Sequence, residues 1–423
     1  MTYTIKKIPH ARGELCVPGD KSISHRGIML GALADGVTSI DGFLEGADCL
    51  ATIDCFQKLG IPIEHKGRHV TISGCGLNGL QPAKDTLYTG NSGTTTRLLC
   101  GLLAGQKFNS RITGDASIQK RPMRRVTAPL SEMGAKISGD YCPLEITGTP
   151  LKGIHYQMQV ASAQVKTALL FAGLYADSPT TICEVEKSRD HTELMLGAMG
   201  APIRIEGRTV TIHPTQSLQP QQIQVPGDIS SAAFFLALGA LLPNTQITIQ
   251  NVGMNPTRTG MLDVLEQMNV PVKAENTRIC TGETIADLTV ATSSLHPATI
   301  SGALIPRLID ELPVIAAMAL FADGQTVIRD AAELKVKETN RIRAVVDEFK
   351  KTGAMIEETD DGMIIQGGKP LHGADFKTYG DHRMAMTLTV LAQLLEGPST
   401  LDDAACVDVS YPAFFEDFYS LGR

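Results

Sequence analysis

The strongest constraint in this 423-residue chain is a phrase that recurs about every 70 residues. An amphipathic stretch runs into a Gly or Asn, then a short apolar alternation, a turn and a second alternation. It reads FQKLGIPIEHKGRHVTISG (56–74), LSEMGAKISGDYCPLEITG (130–148), LGAMGAPIRIEGRTVTIHP (196–214), LEQMNVPVKAENTRICTG (265–282) and FKKTGAMIEETDDGMIIQGG (349–368). The helix-ending residues are Gly60, Gly134, Gly200, Asn269 and Gly353, and FFEDFYSLG places Gly422 at a sixth end. Self-similarity at a fixed period signals one supersecondary unit copied along the chain. Length alone suggests about three domains of roughly 150 residues; the period divides the chain into six units instead.

Each piece of the phrase has a physical reading. Leu50, Ile53 and Phe56, or Ile342, Val345, Val346 and Phe349, recur at helical spacing and give one apolar face. A Gly or Asn after such a run can take the left-handed conformation that closes a helix. Ile203/Ile205 and Val210/Ile212 then alternate as two strands around a Gly-containing turn. Upstream of each amphipathic helix lies a more apolar one, such as TRLLCGLLAG or SAAFFLALGALL. Helices apolar on all sides belong at the centre of a domain. Each unit is thus two helices plus several short strands.

The sixth unit runs out of chain before its closing strands. The N-terminus can supply them: Tyr3-Thr4-Ile5 followed by Val17-Pro18-Gly19-Asp20 resembles Val210-Thr211-Ile212 followed by Val225-Pro226-Gly227-Asp228. The two Pro-Gly-Asp tripeptides stand 208 residues apart, three periods. Two lobes of three units follow. One lobe is expected over 19–227 and the other over 1–18 with 228–423, with a hinge near 19–20 and 226–228.

Composition removes several function classes. With 43% hydrophobic residues the chain is globular rather than disordered. No run approaches the roughly 18 apolar residues of a membrane span, and the first residues lack a signal peptide's order. Nine scattered cysteines without a C-x-x-C pair suit a reducing cytoplasm and fit no metal motif. A net charge of −7 without a basic tract argues against nucleic acid or a membrane surface as partner.

The local charges run against that global sign. The six apolar helices open on Asp20-Lys21-Ser22-Ile23-Ser24-His25-Arg26, Asn91-Ser92-Gly93-Thr94-Thr95-Thr96-Arg97, Ser162-Ala163-Gln164-Val165-Lys166, Asp228-Ile229-Ser230-Ser231, Asp310-Glu311 and Asp381-His382-Arg383. Ser, Asn and Asp are ordinary N-caps. Caps do not explain Lys21, Arg26, Arg97, Lys166 or Arg383, because cations at a helix N-terminus oppose its dipole unless an anion lies between them. Free N–H groups plus cations make a phosphate or carboxylate site. Standard phosphate fingerprints do not apply: Gly90-Asn91-Ser92-Gly93-Thr94 lacks the Walker spacing, and no G-x-G-x-x-G follows a strand. Asp310 and Glu338 lie among these cations and could divide acid and base roles, although Glu338 and Arg341 at i, i+3 could equally be a surface pair.

Taken together, the strings PGDKSISHR (18–26), GNSGTTTRLL (90–99), QKRPM (119–123), SAQVKTALL (162–170), SRDHTELM (188–195), PGDISSAAFF (226–235), KVKETNRI (335–342) and YGDHRMAM (379–386) closely resemble the EPSP synthase family of enolpyruvyl transferases. The resemblance implies an α/β fold, the two-lobed inside-out α/β barrel of six βαβαββ units, three per lobe. It implies attack of the 5-hydroxyl of shikimate 3-phosphate on C2 of phosphoenolpyruvate, then loss of phosphate, with no cofactor and no metal. By matching position, Lys21, Ser22 and Arg26 would contact the shikimate phosphate, joined by Ser162 and Gln164. Lys21 and Gln164 would also reach phosphoenolpyruvate, which Gly93, Arg121, Arg341 and Arg383 would hold. Asn91 and Arg97 belong to the same glycine loop. Asp310 would deprotonate the hydroxyl, Glu338 would protonate the methylene carbon, Lys337 would bind shikimate and His382 would relay protons.

This chain departs from the pattern of some members. Ser162-Ala163-Gln164 lacks one serine hydroxyl, and Val409-Ser410-Tyr411-Pro412 lacks a lysine that others carry near the C-terminus. Gly93 leaves room for glyphosate as a competitive inhibitor. A cytoplasmic monomer is expected. The rivals are a UDP-N-acetylglucosamine enolpyruvyl transferase, whose loop cysteine has no counterpart in Gly114–Pro122, and a non-catalytic phosphometabolite-binding protein, which would have no use for Asp310 and Glu338.

Overall fold

The structure, a computed structural model, describes residues 2–280 and 282–422; the outermost positions of the expected second lobe, and Thr281 in the fourth repeat string, lie outside them. The chain divides into two compact units, Gly19–Val225 and the described parts of Met1–Pro18 with Pro226–Arg423.

Each unit repeats one pattern three times among its described residues: an apolar helix, an outer helix and a small sheet. In the first unit the apolar helices are Lys21–Leu33, Gly93–Ala104 and Ala163–Gly173. In the second they are Ile229–Leu241, Leu312–Ala319 and His382–Ala392. All thirteen residues of Ile229–Leu241 are buried, as all-round hydrophobicity requires. Each unit closes around its own apolar core.

Helix ends fall where the repeat places them. Gly60, Gly134, Gly200, Asn269 and Gly353 all have positive φ, between +62° and +93°. That conformation closes a helix and strains residues bearing a Cβ. At Gly422 the reason for glycine is packing, since a Cβ would come within 2.6 Å of Ile8 Cγ2.

The hairpins follow too. Ile203–Glu206 pairs antiparallel with Thr209–Ile212 in the register Ile205↔Val210. Val210 and Ile212 are buried, but Ile205 is exposed because its strand is the sheet's outer one. In the outer helix Ala47–Lys58, Ile53 and Phe56 are buried as their spacing predicts, but Leu50 is exposed, while Cys49 and Thr52 are buried and the Thr52 hydroxyl bonds Thr95 and His25 inside the unit.

Tyr3–Thr4 pairs antiparallel with Thr400–Leu401, so a strand from the N-terminus completes the sheet of the last repeat. Arg12–Leu15 runs parallel to Gln246–Gly253, as Gln222–Gln224 runs parallel to Asp35–Asp41 in the other unit. Among the described residues no helix is long and apolar enough to cross a membrane.

Candidate active site

In the unit Gly19–Val225, hydrogen bonds tie the first two turns of the three apolar helices into a ring. Asp20 caps Lys21–Leu33 by accepting the Ile23 N–H at 2.9 Å. Ser92 caps Gly93–Ala104 through the Thr95 N–H at 3.0 Å, and Ser162 caps Ala163–Gly173 through the Val165 N–H. Arg26, 2% exposed, links the first helix to the third by donating to Thr167 Oγ1 at 2.9 Å. Arg97 links the second to the third, donating to Gln164 Oε1 at 2.7 Å while Gln164 Nε2 donates to Thr94 at 3.0 Å. His25, Thr52 and Thr95 close the ring with two contacts of 2.7 Å. Three helix N-termini at one end of a unit concentrate positive partial charge.

The cations gather on this ring. The Lys21 ammonium lies 2.5 Å from Asp48. Arg26 also donates to Thr192 Oγ1 at 2.6 Å and to the Ser22 carbonyl at 3.0 Å. Arg121, nine-tenths buried, donates to Asn91 Oδ1 and to Ser117 at 3.3 Å. A Cβ on Gly93 would stand 2.9 Å from an Arg97 nitrogen and 3.1 Å from an Arg121 nitrogen, so glycine is what allows both guanidiniums to approach the helix end. Burial, with Lys21 and Arg26 nearby, holds the His25 imidazole well below its ordinary pKa and keeps it neutral. Lys21, Ser22, Arg26, Asn91, Gly93, Arg97, Arg121, Ser162 and Gln164 therefore occupy or adjoin one helix-end ring.

Lys166 does not belong with them. Sequence pattern placed it among the anion-binding cations, yet its side chain is fully buried, with Nζ 2.5 Å from Glu193 and 2.9 Å from Glu184. Its charge is neutralised inside the unit.

The second unit carries a different cluster at the openings of its helices. Arg341, 1% exposed, donates from Nε to Asp381 Oδ2 at 2.7 Å and from Nη2 to Asp381 Oδ1 at 3.2 Å. The same guanidinium reaches Glu338 at 2.6 Å and Asp310 at 3.2 Å. A solvated surface pair is thereby excluded for Glu338 and Arg341. Burial works against the Arg341 charge, but Asp381, Glu338 and Asp310 outweigh it and push the pKa up. The Lys337 ammonium lies 3.5 Å from Asp310, and Arg383 lies 3.8 Å from it. Asp381 caps His382–Ala392 by accepting the Arg383 N–H, and His382 is buried in that first turn.

A second layer holds these groups. Glu311 accepts from the Ser230 hydroxyl, and Arg258 donates to Ser230 Oγ at 2.7 Å and to Asp228 at 2.9 Å. Sequence reading gave no role to Arg258, which sits in the loop between the strand Gln246–Gly253 and the outer helix Gly260–Gln267, nor to Asp381 as the chief partner of Arg341. It also passed over Arg189, whose guanidinium donates to the Ser22 hydroxyl at 3.3 Å. Arg189 stands inside a quoted string, so the signal was present but carried no local reason.

The arrangement offers two things chemically: guanidiniums and an ammonium at helix N-termini, fit for multiply charged anions, and a carboxylate pair on one arginine, fit for proton transfer.

Comparison with known proteins agrees with this chemistry. The 3-phosphoshikimate 1-carboxyvinyltransferase of Geobacillus kaustophilus is 55% identical over 416 residues, 97% of each chain. The solved EPSP synthase of Acinetobacter baumannii superposes with a TM-score of 0.87 at 43% identity, covering 100% of this chain and 98% of that one. The enolpyruvyl transferase NikO of Streptomyces tendae shares the fold, with a TM-score of 0.81 at 19% identity over 100% of this chain and 97% of its own. The sequence model of the family described as EPSP synthase (3-phosphoshikimate 1-carboxyvinyltransferase) matches residues 5–418, and the chain belongs to that family.

Proposed function

We propose that this chain transfers the enolpyruvyl group of phosphoenolpyruvate to the 5-hydroxyl of shikimate 3-phosphate. The hydroxyl oxygen bonds to C2 as a proton adds to C3, giving a tetrahedral intermediate. The C2–O bond to phosphate then breaks while C3 returns a proton, leaving the enolpyruvyl ether and inorganic phosphate. The observation that carries the reading is the carboxylate pair Asp310 and Glu338 on the buried Arg341 guanidinium, in a chain 55% identical to a protein bearing that enzyme name.

In this reading Lys21, Ser22, Arg26, Ser162 and Gln164 bind the shikimate phosphate, and Lys337 the ring. Gly93, Arg121, Arg341 and Arg383 hold phosphoenolpyruvate, with Asn91 and Arg97 shaping the glycine loop and Lys21 and Gln164 serving both ligands. Guanidinium forks suit the carboxylate and phosphate of both substrates. Asp310 takes the hydroxyl proton, Glu338 protonates C3, and His382 beside Asp381 relays protons. Holding two mutually repelling anions in attack geometry supplies much of the acceleration. The enzyme works as a cytoplasmic monomer that glyphosate inhibits in competition with phosphoenolpyruvate.

Phosphate release distinguishes the readings. Release is expected only when shikimate 3-phosphate and phosphoenolpyruvate are supplied together. Release with UDP-N-acetylglucosamine in place of the shikimate would overturn the substrate assignment, and binding of both ligands without release would favour a non-catalytic protein.

A further inference from the structure

The Lys166 side chain has no place in the ligand-facing ring, yet the fold invests three buried charges around it. Lys166, Glu184 and Glu193 are each at most 1% exposed at their side chains. Two carboxylates buried against one ammonium are costly, and an apolar packing of the same volume would commonly be as stable or more so. Burial pushes the Glu193 carboxyl up despite Lys166. The contacts show what the charges restrain. Glu184 Oε1 accepts the Ser188 backbone N–H at 3.0 Å and the Ser188 hydroxyl. Lys166 Nζ donates to the Ser188 carbonyl at 3.4 Å.

Ser188 and Glu193 are therefore both pinned to the first turn of Ala163–Gly173, and residues 189–192 are strung between them. Two of those four touch the phosphate-side residues. Arg189 donates to the Ser22 hydroxyl, and Thr192 accepts from Arg26 at 2.6 Å and exchanges a hydrogen bond with Thr167 at 2.6 Å.

We propose that the Lys166–Glu184–Glu193 trio positions Ser22 and Arg26 for the phosphate of shikimate 3-phosphate, acting through the segment 188–193, with Glu184 as its key positioning residue. The proposal rests on the substrate assignment above. Its consequence is selective: loosening the segment should weaken shikimate 3-phosphate more than phosphoenolpyruvate, because Gly93, Arg121, Arg341 and Arg383 lie on other elements and only Lys21 and Gln164 serve both ligands.

Glu184→Ala tests this in the full chain, because it leaves Lys166 and Glu193 as a neutral pair. Steady-state kinetics should show the KM for shikimate 3-phosphate raised about tenfold or more, the scale that small misplacements produce, with the KM for phosphoenolpyruvate within about threefold. Glu184→Gln keeps an oxygen for the Ser188 N–H and should restore the KM to within about threefold of the parent. Should Glu184→Ala not fold, Ser188→Ala removes only the hydroxyl contact and should raise the same KM alone. Equal rises in both KM values, no rise in either, or no recovery with Gln would each overturn the proposal. A parent protein inactive on the two substrates would instead overturn the substrate assignment.

Discussion

Replacing Arg341 by Met should break the second unit's cluster in a way that pH reveals. At an effective dielectric of about 20, one pair of unit charges 3 Å apart is worth about 5–6 kcal/mol before desolvation. Arg341 makes such contacts with three carboxylates, and Asp381 among them is fully buried. Burying the guanidinium costs several kcal/mol and offsets much of this. Removing it leaves Asp310, Glu338 and Asp381 close together with their central cation gone. Loss of one partner from a buried network costs about 3–5 kcal/mol. In the variant, burial and mutual repulsion raise the folded-state carboxyl pKa values above the unfolded ones. Proton uptake then stabilises the folded variant as pH falls, so the deficit should be largest near pH 7.5 and shrink towards pH 5.5. Calorimetric unfolding of parent and variant at both pH values measures it. A deficit below about 1 kcal/mol, or one equal at the two pH values, would refute the reasoning, since neither fits a buried carboxylate cluster centred on the Arg341 guanidinium.

Three further outcomes are expected. Glu338→Ala should bind both substrates within about threefold of the parent yet lose about 100-fold or more in kcat, as removal of a proton-transfer group does; rapid-quench turnover beside equilibrium binding checks this, and parental turnover would remove Glu338 from the acid role. Gly93→Ala should raise the KM for phosphoenolpyruvate more than that for shikimate 3-phosphate, because its Cβ would press on Arg97 and Arg121 at 2.9 and 3.1 Å. His25 is neutral in the fold, with a pKa lowered by burial and by Lys21 and Arg26. The unfolded chain therefore binds the extra proton below about pH 6.5, and stability should fall with pH at up to about 1.4 kcal/mol per unit. His25→Gln should flatten that slope between pH 6.5 and 5.5 in urea titrations, and an unchanged slope would assign it to other groups.

Much of the fold was legible because its signals are local. Gly60, Gly134, Gly200, Asn269 and Gly353 end helices through a backbone conformation that neighbouring residues announce. The all-round apolar run of Ile229–Leu241 can only be a buried helix. Local signals also misled. Leu50 has the spacing of a core residue with Ile53 and Phe56, yet only those two are buried, and the buried Thr52 hydroxyl bonds Thr95 and His25 instead.

The candidate site divides the same way. Sequence by itself determined the repeat, the helix ends and the residue types at the helix openings, because periodicity, capping and left-handed turns are set within a few residues. Only the tertiary structure decided which partners each charge meets. Arg26 and Lys166 read alike as cations near the N-terminus of an apolar helix. Folding places Arg26 against the neutral hydroxyls of Thr167 and Thr192, whereas Lys166 meets Glu184 and Glu193 at 2.9 and 2.5 Å. The partners of Lys166 lie 18 and 27 residues away along the chain, and packing alone brings them to it. A charge's role follows from what neutralises it, and that is settled across the fold.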